Sequence, residues 1–258
     1  MSQPNASVQL IIFGQRGQDD LPGVLGEIAD AGYSAFEGGN LFASHGEEKI
    51  RHLLDAHQLC VSGAHFGYGD YADPIRLKEH ITYAKQIGLK NLMCSGVSDS
   101  KTSEGYKQSA RLFNAVGKQL ADEGLTFNYH NHAWEFDDLG SLNGMQILDA
   151  ETDPDLVKYN LDVFWLYYAG VDPISFIEAH PNRTGYFHFK DGSKSTDTSG
   201  KSQPVFAELG RGKVDLPAAY QAAMNANVQW IVVEQDNTRL SPLESITISR
   251  RYLHELGV

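Results

Sequence analysis

Eight short apolar segments punctuate the chain, and each runs into a polar or charged residue. They are Val8–Gly14, Ser34–Gly38, Cys60–His65, Asn91–Gly96, Thr126–His130, Lys158–Asp162, Gly185–His188 and Gln229–Glu234. Between them the apolar spacing changes to threes and fours. Leu21, Val24, Leu25, Ile28 and Ala31 share one face of a predicted helix, Leu21–Ala31, which Gly32 stops. The same grammar recurs: Ile75–Ile87 ends at Gly88, and Tyr106–Glu123 ends at Gly124. Ile174–Ala179 precedes Pro181, Leu216–Asn225 precedes the eighth apolar segment, and Leu243–Leu256 lies last. Strand and helix in strict alternation predict a parallel α/β sheet.

Two features favour closure into a (β/α)8 TIM barrel, a single domain over residues 1–258. An open dinucleotide-binding sheet needs a glycine fingerprint after its first strand, and Gly14-Gln15-Arg16-Gly17 lacks the third glycine. Polar residues also end strands along the whole chain, whereas an open sheet concentrates its site at one switch point. The serine-rich stretch Asp191–Gln203 is expected as a long loop on the catalytic face, acting as a lid, a substrate loop or a mobile segment.

A chain of 258 residues suits one such barrel, and 41% hydrophobic with 21% charged residues suits a globular protein. No run of eighteen apolar residues predicts a membrane span. Met1–Ser7 lacks a signal-peptide pattern, so the cytoplasm is the expected location. Cys60 and Cys94 are expected as buried thiols rather than a disulfide framework. A formal charge of -12 argues against nucleic acid and favours neutral small molecules and cations.

That charge matters most where the strands end. A parallel barrel gathers the C-terminal ends of its strands at one mouth. Gln15, Glu37, His65, Ser95, His130, Asp162, His188 and Glu234 sit at or near those ends, which would close two histidines, an aspartate and a glutamate on one point. In Tyr186–Asp191, alternation turns Phe187 and Phe189 toward the helices and His188 and Lys190 toward the mouth. Asp162 lies in a run so apolar that its charge needs a partner, a cation, or the start of a helix to cap. Glu234 is a poor N-cap residue; Glu37 ends Ala35-Phe36-Glu37 in the same way and reads equally as a rim ion pair. His130 and His132 share one side of the fifth strand, as two ligands or as one ligand and one substrate contact, with Glu135 placed to orient an imidazole. His65 is a candidate substrate contact, and Trp165, Trp134, Tyr68 and Phe66 are candidate pocket walls. His45, His52, His57, His80, His180 and His254 are expected at the surface.

With these residues in view, the chain resembles the xylose-isomerase-like TIM barrels, the sugar phosphate isomerase/epimerase superfamily. The resemblance rests on Asp30-Ala31-Gly32-Tyr33 leading to Phe36-Glu37, Tyr129-His130-Asn131-His132, Asn160-Leu161-Asp162, His188-Phe189-Lys190-Asp191, Glu208–Asp215 and Val233-Glu234-Gln235-Asp236. It implies a divalent metal, Mn2+ first with Mg2+, Co2+ or Zn2+ as alternatives, on His130, Asp162, His188 and Glu234. The ketose 3-epimerases of the superfamily carry a glutamate where this chain has His130. The His-x-His pattern is more similar to the inosose dehydratase branch. Both imply proton abstraction next to a carbonyl, with the metal stabilising the enediolate as Lewis acid. The implied acid/base groups are Glu234, His132 and Glu37, and the implied substrate contacts are His65, Lys190, Arg211 and Trp165, with Lys190 binding a substrate oxygen or holding Glu234 or Glu37 in place. The expected activity is sugar isomerisation or epimerisation, with keto-inositol dehydration or keto-sugar lysis next. A DNA-cleaving barrel and a non-catalytic sugar-binding barrel are weaker alternatives. The apolar C-terminal helix is compatible with a homo-oligomer.

Overall fold

The structure, a computed structural model, describes residues 3–258. Eight parallel strands close on themselves. They are β1 (Asn5–Gln9), β2 (Ala35–Gly38), β3 (Cys60–Gly67), β4 (Asn91–Ser95), β5 (Thr126–His130), β6 (Val157–Asp162), β7 (Thr184–Phe189) and, after a hairpin of β8 (Asp191–Thr196) and β9 (Ser202–Ala207), β10 (Trp230–Val233). Around the barrel the order is β1-β10-β7-β6-β5-β4-β3-β2, so the last stave pairs with the first. Among the described residues no helix is long and apolar enough to cross a membrane.

The predicted helices form because their ends are chemically marked. Asp20, Thr102, Asp215 and Ser241 each accept a hydrogen bond from a first-turn amide. Gly88, at φ +81°, ends Pro74–Ile87 in the left-handed conformation that glycine adopts without steric cost. Apolar faces then pack on the outside of the staves, where Phe113, Phe127, Tyr129, Phe187 and Phe189 are buried. Inside the barrel the filling is thinner: Met93, Tyr186 and Val232 form a separate small cluster. A Cβ on Gly63 would lie 2.3 Å from the Met93 methyl and 2.9 Å from the Tyr186 hydroxyl, so a larger residue there would force this inner layer to shift.

Four expectations are corrected. The apolar run Val8–Gly14 is not one strand. β1 ends at Gln9, whose side chain accepts a hydrogen bond from the Ile11 amide and starts a 3-10 turn, Leu10–Phe13. The polar stretch after β7 is not a structureless loop but the antiparallel hairpin β8–β9. The Asp191 carboxylate anchors its base by accepting from the amides of Gly192 (2.8 Å), Gly210 (3.0 Å), Gly212 (2.8 Å) and Val214 (3.2 Å). Finally, Cys60 is exposed while Cys94 is buried, and His80 is a buried ring stacked on Phe66 at 3.7 Å rather than a surface residue. Helices Glu47–His57, Gly144–Glu151 and Val163–Ala169 add to those the spacing predicts.

Candidate metal centre at the barrel mouth

Four neighbouring staves each deliver one ligand-type side chain to the mouth. His130 ends β5, Asp162 ends β6, His188 is the penultimate residue of β7, and Glu234 follows β10. Asp162 and His188 are direct partners across β6 and β7. The Glu234 amide donates to the Phe189 carbonyl at 3.2 Å, which carries the β7–β10 ladder one residue further and fixes the carboxylate over His188. One ligand atom from each of the four lies within 4.8 Å of the others, and all four residues are buried.

The pairwise geometry is specific. Glu234 Oε2 lies 2.5 Å from His188 Nδ1 and 3.6 Å from His130 Nε2; Asp162 Oδ2 lies 3.7 Å from the same His130 nitrogen. His130 Nε2 and Asp162 Oδ2 are buried without any hydrogen-bond partner. Asp162 meets two demands at once, since its Oδ1 accepts from the Trp165 amide at 3.0 Å and caps Val163–Ala169, leaving Oδ2 for the mouth. Buried polar atoms without partners cost about 1–3 kcal/mol each. A cation between these atoms would satisfy both, and the mixed imidazole and carboxylate set suits Mn, Co or Zn better than Ca. The residues therefore fit a divalent metal.

A second set of hydrogen bonds runs around the ligands. His188 Nε2 donates to Glu37 Oε2 (2.9 Å), Glu37 Oε1 faces His65 Nδ1 (3.1 Å), His65 Nε2 meets Ser95 Oγ (2.5 Å), and Ser95 Oγ lies 3.4 Å from His130 Nδ1. Burial alone would lower the basicity of His188, but Glu37 and Glu234 on either side outweigh it and push its pKa up to about 10. Burial likewise opposes the charge on Glu37, yet His188 and His65 hold its carboxyl below the usual range. Glu37 has no exposed surface and both of its oxygens are engaged by histidines, so it orients His188 rather than reaching the cavity.

Lys190 is fully buried. Its ammonium lies 2.7 Å from Glu234 Oε1, 2.6 Å from Asp236 Oδ2 and 3.6 Å from Asp162 Oδ2, over the rings of Trp165 and Phe206. Burial favours its neutral form; the three carboxylates outweigh that and keep it charged. Burial pushes Glu234 the other way, and Lys190 and His188 hold it well below its ordinary value. His132 stacks on Trp134 at 3.9 Å with its Nδ1 unpartnered; burial and then the charge of His130 keep it neutral.

Gln9, His65, Ser95, His130, His132, Glu234 and Asp236 line a cavity of about 200 Å3 over the cluster. A larger hollow, about 400 Å3, lies at the opposite end of the barrel against Asn5 and Trp230 and carries no titratable side chain. Of the residues expected from sequence, His130, Asp162, His188, Glu234, His132, His65, Lys190 and Glu37 converge here, and Trp165 covers Lys190. Arg211 does not: its side chain is 55% exposed beside Glu208, 3.9 Å away. Glu135 reaches no imidazole. It accepts from the Tyr129 hydroxyl (2.7 Å) and the His132 amide (2.8 Å), and so fixes the turn that carries His132. Three contributors lay outside the expected site. Asn131 pairs with the backbone of Asp162 through both ends of its amide, at 3.0 and 3.4 Å. Gln9 lines the cavity, and Asp236, two residues past Glu234, holds Lys190.

Comparison with known proteins agrees with this architecture. The chain is 26% identical to an inosose dehydratase of Lactiplantibacillus plantarum, over 92% of each protein. It superimposes on a sugar phosphate isomerase/epimerase from Parabacteroides distasonis with a TM-score of 0.81 at 20% identity, covering 98% of this chain and 94% of that one. It also superimposes on the IOLI protein solved with a zinc atom, at TM-score 0.75 and 14% identity, covering 98% and 97%. The family model for the xylose isomerase-like TIM barrel matches residues 25–256, and the chain belongs to that family.

Proposed function

We propose that this protein is a divalent-metal-dependent enzyme acting on a keto-sugar or cyclic polyol ketone, and that its chemical step is removal of a proton next to the carbonyl. The observation that carries this is the convergence of His130, Asp162, His188 and Glu234 within 4.8 Å, with His130 Nε2 and Asp162 Oδ2 buried and unpartnered. A cation held there supplies Lewis acidity to a substrate carbonyl, making the adjacent C–H acidic enough for a side-chain base. Glu234, held ionised by Lys190 and His188, is one candidate base as well as a ligand. His132, neutral and lining the cavity, is the other. Lys190 spends its donors on Glu234 and Asp236, so its part is to hold that carboxylate in place. His65 and Trp165 are assigned to substrate contact.

Loss of a β-hydroxyl after proton removal gives a dehydration or related elimination. Two points support this outcome: the fifth stave ends in an imidazole, so no carboxylate faces Glu234 from that position, and the Lactiplantibacillus relative is an inosose dehydratase. Isomerisation or epimerisation is the second reading. It is favoured by His132 and Glu234 both lining one cavity, where they could serve two faces of a substrate. Incubation with keto-inositol and with ketoses in D2O, followed by NMR, tests both. Solvent deuterium next to the carbonyl, dependent on Mn2+, Mg2+, Co2+ or Zn2+ and lost in Glu234→Gln, supports the common step. An absorbing enone identifies elimination; absence of exchange with every metal refutes the proposal.

A further inference from the structure

The cavity over the cluster, about 200 Å3, is smaller than the roughly 300–1,000 Å3 of most small-molecule sites. It does not stop at its rim. Gln9, Ile11 and His65 also line a groove of about 580 Å3 that runs from the mouth over the ends of β1 and β2. The turn Leu10–Phe13, the short helix Arg16–Asp19 and the helix Leu41–His45 form its walls. The groove's lining is mostly neutral, with His45 and His65 its titratable side chains among the described residues. Carboxamides come from Gln9, Gln15, Gln18 and Asn40 and a hydroxyl from Ser44, over a floor that includes Leu10 and Leu41. The amide oxygens of Gln9 and Asn40 are committed to turns, accepting from Ile11 N and Ala43 N, which leaves their NH2 groups to donate. Among the described residues that line it there is no lysine, arginine, aspartate or glutamate. A phosphate would be recognised by cationic side chains. Neutral donors and acceptors above aliphatic carbon match a polyhydroxylated ring, with hydroxyls at its edge and C–H groups on its face.

We propose that this groove is a second subsite, and that the substrate is an uncharged two-ring polyol: the ketone-bearing ring lies over the metal cluster and a second sugar ring lies along Gln9, Gln18, Asn40 and Ser44. The lining favours this class over a sugar phosphate, for which its described residues offer no lysine or arginine. The inference rests on the metal-site reading above and extends it to a substrate class.

The test compares kcat/KM of the metal-loaded protein for a ketone-bearing disaccharide, the corresponding ketone-bearing monosaccharide and the 6-phosphate of the latter. It adds ligand-observed NMR of cellobiose, glucose and glucose 6-phosphate with the metal-free protein. A few added hydrogen bonds give the two-ring ketone an advantage of at least about tenfold. That advantage collapses in Ser44→Trp, whose indole would fill the groove from an exposed helix position. Cellobiose binds the metal-free protein in preference to the other two. Equal or better use of the one-ring or phosphorylated ketone overturns the proposal, as does a two-ring advantage that survives Ser44→Trp. If no ketone turns over while cellobiose still binds and Ser44→Trp abolishes that binding, the metal-site reading fails and the subsite stands. If nothing turns over and nothing binds, both fail.

Discussion

Lys190→Met removes one charge and little else. The methionine stem keeps the packing against Trp165 and Phe206, while the ammonium 2.7 Å from Glu234, 2.6 Å from Asp236 and 3.6 Å from Asp162 is lost. Taking one partner from a buried ion pair costs about 3–5 kcal/mol, because the remaining charge stays buried without compensation. Asp236 is 35% exposed and water can carry part of its load, so the lower half of that range is expected. For a chain of this size a loss of about 3–4 kcal/mol lowers Tm by roughly 6–16 °C. The assay is thermal unfolding of wild type and variant, in EDTA and then with Mn2+ or Zn2+. In the wild type a metal at a hundred times its Kd adds about 2.7 kcal/mol. The variant gains more, because the same cation now compensates Glu234 and Asp162 without competition from the ammonium. A loss in EDTA below about 1 kcal/mol, or a metal gain no larger than in the wild type, would refute the reasoning.

Three further outcomes are expected. Asp162→Asn keeps the cap on Trp165 N but abolishes metal uptake; Asp162→Ala loses the cap as well, at about 1 kcal/mol more. Metal content per chain read beside Tm checks this, and stoichiometric metal in Asp162→Asn counts against the ligand set. Away from the mouth, His180 Nε2 lies 3.0 Å from Asp149 Oδ2; burial lowers the His180 pKa, but Asp149 and the Phe176 carbonyl raise it overall, while His180 and Tyr159 lower that of Asp149 against burial. The pair's stabilisation is therefore complete between the ordinary aspartate and histidine values. It fades as pH rises through the elevated histidine pKa and as pH falls through the depressed aspartate pKa. His180→Gln should thus cost more Tm at pH 5.5 than at pH 9, and an equal loss at both would exclude the pair as the cause. Asp191→Ala strips four backbone amides of their acceptor and should cost about 3 kcal/mol or more, since each amide that water does not reach costs about 1–3 kcal/mol. Circular dichroism melts would show it.

The barrel was legible because its staves are short apolar runs and its helices carry three-and-four spacing with glycine stops. The convergence of His130, Asp162, His188 and Glu234 was legible because parallel strands bring their ends together whatever the sequence distance, so His130 and Glu234 meet although 104 positions separate their numbers. What failed to show has physical reasons. Leu10–Phe13 is as apolar as a strand, and only the Gln9 side chain, by capping Ile11, turns it into a 3-10 helix. Glu47–His57 buries only Ile50, so its pattern carries almost no face. The hairpin β8–β9 is mostly exposed and lacks the alternation a half-buried strand displays. His80 looked like a surface residue because its partner, the Phe66 ring, arrives from β3. Glu37 read equally as an acid/base group and as a rim ion pair, because nothing in its own segment announces that His65 and His188 will take both oxygens.

The four ligand positions fall on consecutive staves of the chain's second half, residues 130 to 234, while the groove is built almost wholly from residues 9 to 45. On the proposed reading, chemistry and address are written in different arcs of one ring. Grafting the first two loop regions of a relative onto this chain would change what the protein accepts without disturbing what it does to it.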